Sequence, residues 1–88
     1  LILCDLWGCV HDGWRLFDGV EETLATWRAQ GRTTVFVTNA PRSAAAIRRQ
    51  LDRLGLDGAL DEGIVTAGEA ALAAVAGRPV GFCGTPED

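Results

Sequence analysis

Leu1-Ile2-Leu3-Cys4-Asp5-Leu6-Trp7-Gly8 decides how the rest of the chain reads. Its first four residues run without a polar interruption into a carboxylate. A half-exposed strand would alternate, so an unbroken apolar run followed by turn residues predicts a strand buried in a parallel sheet. Asp5 then stands at the carboxyl end of that strand. Gly8, Asp12-Gly13 and Asp18-Gly19 break the next stretch into a loop or small hairpin.

Working outward, Val20, Leu24 and Trp27 recur at helical spacing and give one apolar stripe. Asp18 with Glu21 three residues on resembles a capping box for this helix, and Gly31 marks its end. Thr33 to Thr38 is β-branched and aromatic, the composition of a second strand, which Asn39-Ala40-Pro41 interrupts. Ser43 is placed to cap a second helix that runs to about Leu54 and stops at Gly55. Ile47, Leu51 and Leu54 form its stripe, and Arg48, Arg49 and Arg53 fall off it as an expected solvated face. Gly63-Ile64-Val65 predicts a short third strand. Thr66-Ala67-Gly68-Glu69 is a second capping-box pattern opening an alanine-rich helix to about Ala76, and Pro79 to Cys83 is a further apolar run. Strands alternating with helices in this way predict an α/β fold, a three-layer Rossmann-like parallel sheet with flanking helices. With right-handed crossovers, Asp5 and Thr38-Asn39 emerge on the same carboxyl edge, where open α/β sheets bind their ligands.

Composition narrows the function classes. The chain has 88 residues and a formal net charge of −4, enough for one small domain and the wrong sign for a nucleic-acid footprint. All 8 basic residues are arginines. The 3 cysteines, Cys4, Cys9 and Cys83, are odd in number and include no CxxC pair, which predicts a reduced, cytoplasmic protein without a disulfide framework or a zinc site. Cys4 and Cys83 sit in apolar runs and read as small buried hydrophobes, and Cys9 has no evident base partner that would make it a nucleophile. No apolar run is long enough for a membrane span, and no signal peptide is visible. The chain opens inside a strand-like run and stops at Thr85-Pro86-Glu87-Asp88, which reads as the start of another element. We therefore expect a fragment of a longer protein.

The strand-end carboxylate carries the chemistry. An aspartate held rigidly at that edge can attack phosphorus and form an aspartyl-phosphate. The transferred group then requires charge stabilisation and positioning. The Thr38 hydroxyl and Asn39 amide can supply it from the second strand, and backbone N–H groups of the glycine-containing loop after Asp5 can add to it. A hard cation held by oxygen ligands suits the same chemistry, with Mg²⁺ the natural choice. The bland alternatives are an aspartate that caps a turn and a Thr-Asn pair that ends a strand. A dinucleotide-binding domain does not fit, because neither G-x-G-x-x-G nor a P-loop is present.

Leu3-Cys4-Asp5-Leu6-Trp7-Gly8-Cys9-Val10 resembles the first motif of the haloacid dehalogenase (HAD) superfamily, a strand followed by DxDGxx. Val35-Phe36-Val37-Thr38-Asn39 resembles the second. Asp12-Gly13, Gly31, Asn39-x-x-Arg42-Ser43 and Thr66-Ala67-Gly68-Glu69-Ala70-Ala71 are similar to the subclass with a C2-type cap, subfamily IIA, in an uncharacterised branch written DxWGxxHDG. The resemblance implies that residues 1–88 are the N-terminal part of a HAD-like hydrolase core, ending near the start of the cap. It also implies Mg²⁺-dependent hydrolysis of a small phosphorylated metabolite. Asp5 would be nucleophile and metal ligand, the Trp7 backbone carbonyl a second ligand, Thr38 the phosphate contact, and Asn39 would stand beside it. Arg42 is a further candidate for the phosphate.

Two departures from the family pattern matter. Trp7 occupies the position of the second aspartate, the family's general acid and base, and an indole cannot transfer that proton. His11, the single histidine, is the candidate substitute, with a loop histidine of no catalytic task as the alternative. Trp7 itself is expected to line the site. The downstream lysine and acidic pair of the family are not in these residues. Two alternatives to a phosphatase therefore stay open: a catalytically silent HAD-fold module that binds phosphate or a partner, and a dehalogenase-like enzyme acting at carbon. No nucleic-acid or membrane partner is expected.

Overall fold

A computed structural model describes residues 1–81 and 83–84. The elements are β1 (Ile2–Asp5), α1 (Val20–Ala29), β2 (Thr34–Thr38), α2 (Ala44–Leu54), a 3₁₀ turn at Gly58–Leu60, β3 (Ile64–Thr66) and α3 (Ala67–Ala74). The strands form one parallel sheet in the order β1-β2-β3. Its register sets Cys4 beside Phe36, Asp5 beside Val37, and Thr38 beside Thr66.

Both crossovers step in the same direction across the sheet. Right-handed connections then place α1 and α2 on the same face, and burial agrees. Phe36, Leu24, Ile47, Leu51, Leu6, Val10 and Leu56 form the core, with Cys4 and Ile64 packed against it. The opposite face carries Leu3, Val37 and Val65, which are 67%, 37% and 53% exposed. The expected burial of β1 on both sides is thus not met among the described residues, because both helices cover one face. The α/β class with a Rossmann-like parallel sheet and flanking helices stands.

Local signals explain most boundaries. Ser43 Oγ accepts the Ala46 N–H at 3.1 Å and starts α2. Gly55 ends it in the left-handed region, φ 94°, with Leu56 N–H returning to the Leu51 carbonyl at 3.0 Å. Thr66 Oγ1 accepts the Glu69 N–H at 3.0 Å. The Glu69 carboxylate does not close a capping box, however; it accepts the Ala44 N–H at 2.7 Å and links the starts of α2 and α3. The expected Asp18 cap is replaced by Gly19, φ 83°, which lacks a side chain to cap with. Helix α3 ends at Ala74 rather than near Ala76, and Pro79 to Gly81 lie in no strand. Phe82 of that apolar run and the Thr85–Asp88 stretch lie outside the described residues.

Arg48 also departs from expectation. It leaves the solvated face and pairs with Asp61, whose side chain is fully buried just before β3. Arg28, at the end of α1, donates to the Ala59 carbonyl and lies 3.5 Å from Glu62. These contacts pin the segment that feeds β3, and with it the level at which the strands end.

Candidate active site at the carboxyl edge of the sheet

Parallel pairing brings the strand ends to one level. Asp5, the last residue of β1, pairs with Val37, so Thr38 and Asn39 project just past it. Asp5, Thr38 and Asn39 line one open pocket of about 560 Å³ whose floor is Leu3 and Val37 on the uncovered sheet face. The three residues singled out on β1 and β2 are therefore brought together.

Their states differ. Asp5 is exposed, its Oδ1 accepting the Leu6 N–H at 3.0 Å and its Oδ2 lying 4.0 Å from the Cys9 thiol. Thr38 is 8% exposed, and its Oγ1 accepts the Ala40 N–H at 3.2 Å. A hydroxyl with one lone pair so engaged still has its proton to donate. Asn39 is exposed beside it.

The loop after β1 is tightly tied to itself. The Leu6 carbonyl accepts N–H groups from Cys9 and Val10 at 3.0 and 2.7 Å, and Gly8 N–H reaches the His11 carbonyl at 2.8 Å. Gly8 itself takes φ 85°. The Gly8, Cys9 and Val10 N–H groups expected as donors from this loop are thus engaged internally. Asp12 Oδ1 accepts the N–H groups of both Trp14 and Arg15 at 2.9 Å, completing the Asp12-Gly13 turn. Those two bonds hold its carboxyl below the usual range.

His11 is 3% exposed and its Nδ1 accepts the Gly13 N–H at 2.9 Å. Burial lowers its pKa, against the pull of Asp12. The ring that was a candidate acid–base group is placed as a brace of the loop, shut off from solvent and with one nitrogen occupied. Trp7 is 65% exposed but is not a wall of the Asp5 pocket. Its indole lies over the turn, Nε1 standing 3.5 Å from where a β-carbon on Gly13 would be. Arg42 is half-buried in the turn after β2 and does not line that pocket either.

Two supports of the site were not foreseen. Gly68 N–H bonds the Ala40 carbonyl at 3.1 Å, and a β-carbon at Gly68 would collide with the Pro41 carbonyl and approach the Arg42 oxygen to 2.9 Å. Only glycine allows α3 to press this closely on the turn that carries Asn39. Cys9 is the other, four residues after Asp5 and in contact with its carboxylate. Gly68 stands in the Thr66-Ala67-Gly68-Glu69 pattern, but no local signal announces its contact with Pro41 or that of Cys9 with Asp5.

Among the described residues no cluster of three or more His, Cys, Asp or Glu could hold a metal. The donors at the site are nonetheless of the right kind for Mg²⁺, which needs few protein carboxylates when substrate oxygens and waters complete its shell. The exposed Asp5 carboxylate and the Trp7 carbonyl in the turn beyond it are hard oxygen donors.

A parallel α/β sheet with an aspartate at the end of its first strand and Thr-Asn at the end of its second defines an α/β fold with a candidate site at its carboxyl edge. Comparison gives the family: the sequence model of haloacid dehalogenase-like hydrolases matches residues 2–87, and the chain belongs to that family. A crystal structure of a haloacid dehalogenase-like family hydrolase from Brucella suis 1330 superposes with a TM-score of 0.82 at 35% identity, over 89% of this chain and 30% of that one. The chain thus spans less than a third of that neighbour's length. No curated protein matches. No helix among the described residues is long and apolar enough to cross a membrane.

Proposed function

We propose that this chain supplies the nucleophile half of a Mg²⁺-dependent phosphomonoesterase site of the C2-cap subclass, acting on a small phosphorylated metabolite in the cytoplasm. The observation that carries the reading is the shared pocket of Asp5, Thr38 and Asn39. An Asp5 carboxylate oxygen attacks phosphorus in line with the ester oxygen, that P–O bond breaks, the alcohol leaves with a proton taken from solvent, and the phosphoryl group rests on Asp5 until water hydrolyses it to phosphate. Thr38 donates its hydroxyl proton to a phosphoryl oxygen, and Asn39 offers its amide to another. Mg²⁺, held by Asp5 and the Trp7 carbonyl, would neutralise phosphoryl charge. Arg42 and the Trp7 indole are secondary candidates for substrate contact.

Trp7 favours a second reading, a silent phosphate- or partner-binding module. It holds no transferable proton where the family has its acid, and loss of a positioned acid costs about 10²–10⁴ in rate. The placement of His11 does not repair that loss. Chemistry at carbon, as in a dehalogenase, is the third.

The intact protein assayed with Mg²⁺ against a panel of phosphomonoesters, with Asp5→Asn as control, separates them. The phosphatase reading expects metal-dependent turnover that Asp5→Asn abolishes. Absence of turnover above that control in a folded protein refutes it. Phosphate binding without turnover then points to the silent module, and halide release from a haloacid points to chemistry at carbon.

A further inference from the structure

Two thiols lie close to Asp5 and line a second cavity that Asp5 itself does not reach. A cavity of about 260 Å³ lies between β1, the loop and α1, and Cys4 and Cys9 both line it, with Phe17, Thr23 and Trp27 among the other walls. Cys4 sits in β1 with its thiol donating to the Asp5 carbonyl at 3.4 Å. Cys9 sits on the turn beyond, its Sγ 4.0 Å from Asp5 Oδ2. The two thiols thus flank the proposed nucleophile, one through its backbone and one through its carboxylate. Neither is given a chemical step in the phosphoryl-transfer reading.

We propose that Cys4 and Cys9 form a dithiol that closes to an intrachain disulfide by exchange with a low-molecular-weight disulfide, RSSR, and so alters the Asp5 site. Exposure sets the order. Cys9 is exposed and Cys4 half-buried. No base partner is needed when the exchange is run at alkaline pH: Cys9, as thiolate, attacks RSSR, forming Cys9–S–S–R and releasing RS⁻, which takes up a proton as RSH. Burial, with Cys9 and Asp5 nearby, pushes the Cys4 thiol up, so at alkaline pH it is Cys4 as thiolate that then attacks the Cys9 sulfur, forming the Cys4–Cys9 bond and releasing a second RSH. In sum two thiols are oxidised and one RSSR is reduced to two RSH. The second step is intramolecular and needs no further collision, which favours closure over a lasting adduct.

Closure has a structural consequence. A disulfide requires the sulfurs about 2.05 Å apart and the β-carbons about 3.8 Å apart. Bonding to Cys4, which lines the same cavity, would take Cys9 Sγ from its 4.0 Å contact with Asp5 Oδ2. Residues 6–9 of the turn, which carry the Trp7 carbonyl, move with it, and Gly8 in the left-handed region is the point at which the turn can adjust.

The test uses the intact protein carrying Cys83→Ser. It is reduced, exposed to oxidised glutathione at alkaline pH, alkylated and digested with trypsin. The peptide ending at Arg15 contains both thiols. We expect it to lose the mass of two hydrogens and to resist alkylation at both positions, with dithiothreitol restoring both. Cys4→Ser should instead retain a glutathione adduct on Cys9. A wild-type peptide that keeps glutathione on Cys9 with Cys4 alkylated, or that stays fully alkylatable, overturns the proposal. Only the activity arm rests on the phosphatase reading: turnover should fall at least about tenfold on closure, the scale of a slightly misplaced catalytic group, and recover on reduction. Unchanged turnover in a protein shown to contain the disulfide refutes the effect on Asp5. A protein without phosphatase activity leaves closure to be decided by mass alone.

Discussion

Arg48 on α2 grips Asp61 with two parallel hydrogen bonds, Nη1 to Oδ1 at 2.9 Å and Nη2 to Oδ2 at 2.5 Å. The Asp61 side chain is fully buried, whereas that of Arg48 keeps 29% of its exposure. The bond to Asp61 raises the Arg48 pKa further above neutrality, so the guanidinium stays charged. The pair fastens the second helix to the start of the third strand.

The two partners should respond unequally to mutation. Arg48→Met leaves a buried carboxylate with no cation and should lower the unfolding free energy by about 3–5 kcal/mol. Asp61→Ala frees a guanidinium that can turn toward water, so its loss should be smaller. Urea denaturation of both variants checks this, and equal losses would contradict it.

His11 predicts a pH dependence. Its folded pKa lies below the ordinary 6.5, so the unfolded chain binds a proton that the folded chain refuses. Stability is therefore complete above about 6.5 and declines as pH falls from there toward the folded pKa. His11→Asn, whose amide oxygen can still accept the Gly13 N–H, should flatten that decline. Melting curves of both proteins between pH 5 and 8 decide it; parallel pH profiles would exclude His11 as the source.

Gly68 sets helix propensity against packing. Alanine in a helix is favoured over glycine by about 1 kcal/mol, yet a β-carbon here meets the Pro41 carbonyl. Overpacking of this kind costs about 1–3 kcal/mol. Gly68→Ala should therefore destabilise on thermal melting and lower turnover through the displaced Asn39 turn. A stabilised variant would show that the turn yields freely.

Thr38 should matter through its hydroxyl. Thr38→Val should reduce kcat/KM on a phosphomonoester by about 10²–10³, the usual loss for one well-placed donor, and Thr38→Ser should retain most of it. Melting curves distinguish this from the lost bond to Ala40. Equal activity of the valine and serine variants would remove the hydroxyl from the site.

The grouping of the candidate residues was legible in the sequence. Asp5, Thr38 and Asn39 announce themselves because a strand ending in a polar residue is a one-dimensional pattern, and parallel strands necessarily align those ends. Ser43, Gly55 and the stripes of α1 and α2 were equally readable, since capping and helical periodicity act over three to four residues. His11 and Trp7 were visible as candidates, but their surroundings were not.

The amino-acid sequence alone determined the alternation of strands and helices, the edge at which chemistry can occur and the residues that stand there, because each is set by local periodicity and turn chemistry. Only the tertiary structure decided that Leu3 faces outward, that Arg48 serves a buried carboxylate 13 residues away, that His11 braces a loop and that Gly68 presses against Pro41. Those outcomes depend on which elements meet, and that is settled by crossover handedness and close packing between segments far apart in the chain.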